Sequence, residues 1–593
     1  MEKRNVRNDS SQMKDLLQFD DQDDGNKNSS HEKQQGSNNS STQASCSSSA
    51  GPRSAAGVCR TDDHEAASMQ WTENASSCCQ LDRLKRLPQC DTKLEPLTFS
   101  KSHTVLIDVG VFRCGAGPIP QDGRDLWHKN FVKMPCSPQS TAFSTKLDLK
   151  VVHVKGSVQR WKLISKQLTA LASKKTASVD EVAEAILTYN PKYKGQWSFD
   201  GLSRFVKFVP KAENYFETLF PKIAALALKL PDQVKKAIPL LQRGQAAAIT
   251  LSQVQISCLL ANAFFCTFPH RNTSSPDAEY HSYPTINFTR LFADWSERKK
   301  EKLRAIMHYF NVVSDEKTKL TGLVTFERCF LRDTDMPNWR NCKETLQKLH
   351  LTSQGSIETE GTGMLQVDFA CSLIGGGVLD SGLVQEEILF LMNPELIVSR
   401  LFTEKLADNE CLIITGSQKF SCYSGYSDRF EWAGPYEDDL ERDKWDRLKR
   451  QILAIDALHF KHRREQYRMA RITRELNKAY CGFKHYHGHH GPDIATGKWG
   501  CGAFKGDPQL KAVIQLMAAA KAKRGLAFFT FGDEELKRGL EQIYHLLVTE
   551  KTTVGKLYEV LEDYCAVLQE ARGTHVDLFE FIRGTIRPSR SLL

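Results

Sequence analysis

The chain has 593 residues, of which 40% are hydrophobic and 25% charged, as is typical of a globular protein with two or three domains. The formal net charge is +9, from 80 basic and 71 acidic residues; it favours approach to a polyanion but does not identify one. The most apolar segment, residues 254–268, is too short for a membrane helix, so a membrane-spanning class is excluded.

The 17 cysteines are scattered and form no CxxC pair, and the N-terminus lacks the apolar segment of a secretory signal. This combination predicts reduced thiols in an intracellular protein and does not fit a zinc site. We therefore expect a protein that is not secreted.

Composition divides the chain into three parts. Residues 1–98 are rich in Ser, Asn, Gln, Asp and Lys, and they contain too few core-forming side chains to offset the entropy of ordering, so we expect a disordered tail. Residues 99–350 begin with a strand-like TVLIDVGVF and are then mainly helical, which predicts an accessory or regulatory region. The helical patterns are VQRWKLISKQLTALASK, FETLFPKIAALALKLP and SQVQISCLLANAFF.

In residues 351–593 strands and helices alternate, and helices follow again at the C-terminal end. The predicted buried strands are MLQVDFA, ECLIITG, ILAIDAL and LAFFTFGD. Alternation of this kind predicts an α/β sandwich with substantial parallel sheet, and ligands bind such sheets at the carboxyl ends of the strands.

The segment from Met364 to Phe402 carries the clearest chemistry. A strand reaches Asp368, three glycines follow, and a helix is predicted to begin near the pair Glu386 and Glu387. Glycines leave backbone N–H groups free to hold a diphosphate, and a helix N-terminus adds positive potential. Two adjacent carboxylates repel, which raises the proton affinity of one of them and suits it to general acid catalysis. The alternative is a tight turn followed by a solvated helix N-terminus.

A second glycine-rich loop, TGKWGCGAFKGD, runs from Thr496 to Asp507 and also precedes a helix. It is not a Walker motif, because Lys498 is followed by Trp499, and this excludes a phosphate-loop nucleotide hydrolase. Two aromatic residues at strand ends, Tyr423 and Phe531, can sandwich a base, although single aromatic residues more often belong to the core.

The order of glycine triplet, short spacer and QEE resembles the signature of the poly(ADP-ribose) glycohydrolase family. Flanking stretches over about residues 125–570 resemble the same family in the same order: LLANAFFCTFP, SYPTINFTRLF, TGLVTFER, NPELIVSRLFTE, NECLIITG, AIDALHF, RELNKAYCGF, GCGAF and FTFGD. The resemblance implies a macrodomain-like α/β/α sandwich with a mixed sheet in residues 351–593, joined to the helical accessory domain.

The resemblance also implies roles for individual residues. It makes Glu387 the proton donor and then the base that activates water, with Glu386 and Asp368 holding ribose hydroxyls. Tyr426 is expected to clasp the ligand and Phe531 to face adenine. The residues that the resemblance assigns to substrate binding are Ile357, Glu358, Gly375, Gly376, Gly377, Gln385, Tyr426, Gly502, Ala503, Phe504 and Phe531.

The chain departs from the family pattern at three positions. Cys371 stands where the family usually has Asn, Lys498 where it usually has Asn, and Lys505 where it usually has Gly. A thiol donates and accepts hydrogen bonds only weakly, which puts the catalytic rate in doubt. The run HYHGHHG from His485 is either a metal motif or a variable loop, and its irregular spacing favours the loop.

The sequence therefore predicts an enzyme that hydrolyses the ribose–ribose bonds of ADP-ribose polymers without a metal or organic cofactor. Expected partners are poly(ADP-ribose) and ADP-ribosylated proteins, with no nucleic-acid motif, no membrane and a monomeric state. We expect residence in the nucleus and cytoplasm and a place in the DNA damage response. The alternative is an ADP-ribose-binding macrodomain that cleaves slowly or not at all, which Cys371 favours and the intact glutamate pair opposes.

Overall fold

The computed structural model of the protein describes residues 78–87, 100, 102–144, 156–210, 214–271, 275–486, 490–570 and 576–587. The predicted tail, residues 1–98, lies outside the described residues except for 78–87. That short segment corrects the prediction, because it packs on the folded protein. Leu84 is buried in a cluster with Met364 and Phe529, and the backbone N–H of Lys85 donates to the Asp493 carboxylate at 2.7 Å. The leucines of LDRLKRL supply the apolar side chains that the preceding low-complexity sequence lacks.

Nine strands form one mixed sheet in the order β1-β4-β5-β8-β11-β7-β12-β13-β6, and two further pairs, β2-β3 and β9-β10, lie outside it. The strands are β1 (His103–Val105), β2 (Thr141–Ser144), β3 (Gly156–Gln159), β4 (Ala247–Ser252), β5 (Leu323–Phe330), β6 (Leu349–Thr352), β7 (Leu365–Ala370), β8 (Glu410–Thr415), β9 (Ser421–Ser424), β10 (Glu431–Pro435), β11 (Gln451–Asp456), β12 (Ile494–Gly497) and β13 (Leu526–Phe529). From β11 to β6 all neighbours are parallel, whereas β4, β5, β8 and β11 pair antiparallel. The predicted mixed sheet is confirmed.

Helices cover both faces of this sheet. They are α1 (Val109–Arg113), α2 (Arg160–Ala172), α3 (Val179–Tyr189), α4 (Asp200–Phe208), α5 (Phe216–Leu228), α6 (Leu230–Gln233), α7 (Gln253–Phe264), α8 (Thr289–Ala293), α9 (Glu297–Val313), α10 (Gln385–Met392), α11 (Ser399–Phe402), α12 (Met469–Phe483), α13 (Pro508–Ala522), α14 (Glu534–Thr549), α15 (Val554–Glu570) and α16 (Leu578–Ile586). In the part of the chain that the structure describes, none of these helices is long and apolar enough to cross a membrane.

Alternating side chains of the central strands build two separate cores. In β11, Ile452 and Ala454 join the core that contains helices α2 to α9, whereas Leu453 and Ile455 join the core that contains helices α12 to α16. Because successive side chains of a strand point to opposite faces, β11 is buried on both sides. This is why the predicted strands read as continuous apolar runs, and the result is an α/β/α sandwich.

The accessory region also contributes to the sheet. Strands β1, β4 and β5 come from residues 99–350, a range whose sequence reads as mainly helical. The strand expected over TVLIDVGVF is shorter than its sequence suggests. Only His103–Val105 is extended, and helix α1 follows because the side chain of Asp108 accepts a hydrogen bond from the N–H of Val111. The predicted boundary between residues 350 and 351 does not separate the strands of the structure, since one sheet contains strands from both sides of it.

Candidate active site

The sheet opens between β7 and β12 at their carboxyl ends. The two strands pair only at Leu365 and Gln366, so the later backbone groups of β7 lack a strand partner on that side. The side chain of Gln385 fills the gap: its Oε1 accepts from the N–H of Phe369 at 2.8 Å, and its Nε2 donates to the carbonyl of Val367 at 3.4 Å. This exchange fixes the first residue of α10 against the end of β7, where a parallel sheet binds its ligands.

Both glutamates of the QEE sequence are held by backbone N–H groups of the glycine loop. Glu386 accepts from Cys371 at 2.8 Å and from Gly375 at 2.6 Å. Glu387 accepts from Gly377 at 2.8 Å and, across the start of its own helix, from Val384 at 2.9 Å. The predicted strand, glycine loop and helix are therefore present, but the free N–H groups of the loop bind the two carboxylates. Each carboxylate is thereby fixed in position.

Asp368 lies beside this pair without a hydrogen-bond partner on either oxygen. Asp368, Glu386 and Glu387 are 0%, 1% and 2% exposed, so the three carboxylates lie outside bulk water. Burial raises the pKa of Asp368 well above its usual value, and the charge of Glu387 raises it further. Burial and then the charge of Asp368 raise the pKa of Glu386 in the same way. A raised proton affinity within the cluster suits a site that donates a proton to a leaving oxygen.

Gly376 brings the backbone close to the two glutamates. Its φ is +43°, a conformation that favours glycine, and a Cβ at this position would lie 2.4 Å from Oε1 of Glu387 and 2.9 Å from Oε2 of Glu386. The Sγ of Cys371 would be 3.1 Å from the same point. The absence of a side chain therefore allows both carboxylates and the thiol to pack against the backbone of Gly376.

Two buried cations hold the glycine loop from behind, and sequence reasoning did not find them. Lys302 of α9 donates to the carbonyls of Gly377 at 2.8 Å and Asp380 at 2.6 Å, and also to that of Gly382. Arg400 of α11 donates to the carbonyls of Ile374 at 2.7 Å and Gly376 at 2.9 Å. Burial lowers the pKa of Lys302 to about 7.

No sequence signal marked these two residues. Lys302 belongs to the basic run ERKKEKLR, which is typical of a solvated helix face. Arg400 lies in NPELIVSRLFTE, a stretch that indicates the family but no role for the arginine. The structure shows that both act on the loop from distant segments. The helical part of the chain thus supplies one of the groups that fix the site.

Three of the predicted ligand-binding residues lie beside Gln385 or strand β7. Tyr426 is 54% exposed, and its phenol lies beside the backbone of Gln385. Burial raises the pKa of Glu358, whose carboxylate lies near the side chain of Gln385. Ile357 is buried, and its carbonyl accepts from Nε2 of Gln366 at 2.8 Å. The side-chain amide of Gln385 is already used on β7, so its direct contact with substrate remains a prediction.

The second glycine loop follows β12 at the same edge of the sheet. Gly502 and Ala503 are exposed, and Phe504 is half-buried with its ring 5.6 Å from that of His459. Phe531 is 42% exposed in a left-handed backbone conformation (φ +51°), and its ring lies so close to Gly497 that a Cβ there would be 2.7 Å away. A large exposed aromatic ring at the end of β13 is a suitable surface for stacking a base.

The departures from the family pattern differ in their surroundings. Lys498 pairs with Asp533 at 3.4 Å, and Lys505 is exposed with a φ of +60°.

His487 and His489 lie outside the described residues, while the rings of His485 and His490 are 5.4 Å apart. Among the described residues, one group of three has metal-ligand atoms within 4.8 Å of one another: Cys371, Glu386 and Glu387.

Comparison with known proteins agrees with this geometry. The family model described as poly(ADP-ribose) glycohydrolase, macro domain fold, matches residues 336–538, and the model for the helical domain of the same family matches residues 209–328. Poly(ADP-ribose) glycohydrolase 1 of Arabidopsis thaliana is 32% identical over 442 residues, which cover 60% of this chain and 79% of that relative. Poly(ADP-ribose) glycohydrolase 1 of Caenorhabditis elegans is 33% identical over 395 residues, 62% of this chain and 48% of that relative.

The sheet, the helical part and the buried acid cluster at the end of β7 define a macrodomain protein with a helical domain on its N-terminal side. Its site has the carboxylate chemistry of a glycoside hydrolase. The chain belongs to the poly(ADP-ribose) glycohydrolase family.

Proposed function

We propose that this protein hydrolyses the ribose–ribose O-glycosidic bonds of poly(ADP-ribose) and releases ADP-ribose. The observation that carries the proposal is the acid cluster: Glu386 and Glu387 are each fixed by two backbone N–H groups, and Asp368 is buried beside them without a partner. Such placement holds carboxyl groups in fixed positions at the carboxyl end of β7, where a ribose oxygen of the substrate would approach them. The names of the relatives support the same substrate.

The geometry suggests a division of roles within the acid pair. Glu387 lies against Gly376 and donates a proton to the departing ribose oxygen, while positive charge develops on the anomeric carbon. The ionised Glu387 then activates water. Glu386 and Asp368 accept hydrogen bonds from ribose hydroxyls and stabilise that charge. Phe531 stacks on adenine, and Gly502 to Phe504 bind the diphosphate from the other side of the cleft.

The proposal extends to partners and compartment. The substrates are free polymer and polymer attached to ADP-ribosylated proteins, handled by a single copy of the chain. We place this action in the nucleus and cytoplasm, as part of the response to DNA damage, and reduced cysteines favour the interior of the cell. The 14 cysteines among the described residues are all unpaired, which supports a reducing compartment.

Release of ADP-ribose from purified polymer tests the activity directly. Glu387→Gln should lower the rate by about 100-fold or more, because an amide cannot transfer the proton. It should still bind ADP-ribose in calorimetry. Glu535→Gln is the matched control, since Glu535 is also an acid in the first turn of a helix but is exposed in α14. Near-normal cleavage by Glu387→Gln would refute the assignment of the acid.

The same assay separates a second candidate function. Cys371 replaces the amide that the family usually has beside Glu386, and this favours an ADP-ribose reader with little catalysis. Tight binding of ADP-ribose by the wild-type protein without release from polymer would establish the reader. Cleavage of polymer by the wild-type protein, at a rate that Cys371→Asn leaves unchanged or raises, would establish the enzyme.

A further inference from the structure

The thiol of Cys371 gives the acid cluster a donor set that differs from one made of carboxylates alone. Its Sγ and one carboxylate oxygen each from Glu386 and Glu387 lie within 4.8 Å of one another. A Cβ built on Gly376 would be 2.4 Å from Glu387, 2.9 Å from Glu386 and 3.1 Å from Cys371, so all three side chains pack against this glycine. Zinc bonds to oxygen at about 2.0–2.2 Å and to sulfur at about 2.3 Å, so an ion bound between the three donor atoms requires small shifts of the side chains.

A second observation also points to a ligand at this position. Asp368 is completely buried, and neither of its oxygens has a hydrogen-bond partner. Its charge acts on both Glu386 and Cys371, which places it against the same cluster. A buried carboxyl group without a hydrogen-bond partner is costly, whether it is ionised or protonated, unless a bound group compensates it. A divalent ion held by the other three groups would supply that compensation.

The hydrogen bonds of the glutamates do not prevent coordination. Each of the four oxygens accepts one backbone N–H, and a carboxylate has about four lone-pair sites, so about two remain on each group. The same bonds hold the oxygens in place, as the supporting partners of metal ligands do. The three ligands leave further coordination positions open to the cleft.

We propose that Cys371, Glu386 and Glu387 form an inhibitory site for a thiophilic divalent cation such as Zn²⁺. Coordination replaces the thiol proton, which passes to solvent, and it occupies the lone pairs of Glu387 that the glycosidic step needs. The ion and the substrate ribose then compete for the carboxylates of the acid cluster. Because sulfur selects soft ions, Mg²⁺ should not substitute.

Two measurements on the full-length protein test this site. In the first, Co²⁺ replaces Zn²⁺, and the sulfur-to-cobalt charge-transfer absorption is recorded for the wild type, Cys371→Ser and Cys114→Ser. Cys114 is an exposed free cysteine at the end of α1, so its variant controls for thiols at the surface. The wild type and Cys114→Ser should share an absorption band that Cys371→Ser lacks and that added ADP-ribose removes.

In the second measurement, Zn²⁺ is titrated against polymer cleavage, and each variant is compared with its own metal-free rate. Cys371→Ser should need at least about 10-fold more Zn²⁺ for half inhibition than the wild type, and a chelator should restore activity in both. Equal sensitivity of the two, or a cobalt band unchanged in Cys371→Ser, would overturn the proposal. The activity measurement rests on the proposed function, whereas the absorption measurement does not. A chain without any cleavage would therefore leave the metal site testable by its spectrum.

Discussion

Replacing Gly376 by alanine tests the inferred position of the acid pair most directly. A Cβ there would lie 2.4 Å from Oε1 of Glu387, whereas ordinary contact begins at 3.4 Å. The carboxylate would therefore have to withdraw by about 1 Å, and displacements of this size cost about 100-fold in rate. Withdrawal also stretches the hydrogen bonds that Glu387 accepts from Gly377 and Val384.

The backbone effect of this substitution needs its own control. Gly376 has a φ of +43°, and a left-handed conformation costs alanine about 1–2 kcal/mol. Gly195 is a matched glycine with a φ of +78° and no atom within 4 Å of the built Cβ. We expect both alanine variants to lose about 1–2 kcal/mol of unfolding free energy. Only Gly376→Ala should lose turnover, by about 100-fold or more.

The assay compares initial rates of ADP-ribose release with thermal unfolding of the same preparations. The inferred position of Glu387 would be refuted if Gly376→Ala cleaved polymer at nearly the wild-type rate and had the same melting temperature as Gly195→Ala. Such a result would show that Glu387 does not occupy the space beside Gly376 during the reaction.

Three further outcomes are expected. Phe531→Ala should weaken ADP-ribose binding in calorimetry by about 10-fold or more, since base stacking is worth roughly 1–3 kcal/mol. Phe208 is also an exposed phenylalanine, and Phe208→Ala should leave the affinity unchanged. An affinity of Phe531→Ala equal to that of the wild type would show that Phe531 does not stack on the ligand. Deleting residues 1–77 should leave the melting temperature unchanged. Deleting residues 1–87 also removes the buried side chain of Leu84, whose burial is worth about 1.5–3 kcal/mol, and should lower the melting temperature. Equal melting temperatures of the two deletion variants would contradict the packing of residues 78–87. Asp368→Asn should reduce the pH dependence of stability in urea titrations. The pKa of Asp368 is raised above its usual value of 3.8, so the folded state holds a proton that the unfolded chain releases, and the unfolding free energy of the wild type falls as pH rises above about 4. The fall should be shallower in Asp368→Asn, where the raised pKa of Glu386 still contributes, and equal slopes would contradict the role of Asp368.

The local parts of the site could be predicted from sequence. The strand that carries Asp368, the glycines and the helix of Glu386 and Glu387 lie within one window, and each has its own pattern of apolar residues, turn residues or acids. Helices such as α12 and α13 also follow their apolar periodicity. Short-range physics is enough for elements whose partners are near in the chain.

The remaining parts depend on contacts between distant segments. Strands β4 and β5 lie among helices in the sequence. They belong to the large sheet because β4 pairs with β5 and β5 pairs with β8, and no local pattern reveals this pairing. Lys302 reads as one cation of a basic helix face until α9 is placed against the glycine loop. The opening between β7 and β12 is likewise a property of two strands together, and residues 78–87 are recognisable as core only beside β13.

The strand order bears on the way the chain folds as it leaves the ribosome. Strand β6 pairs with β13, where Leu349 is the partner of Leu526, and β7 must wait for β11 and β12 on its two sides. The early strands β4 and β5 can pair with each other as soon as both have been synthesised. The half of the sheet that bears the acid cluster is completed last, through pairings of long sequence separation that form slowly. A nascent or truncated chain that ends before Leu526 would therefore expose the edge of β12 and the unfinished cleft to chaperones or to aggregation.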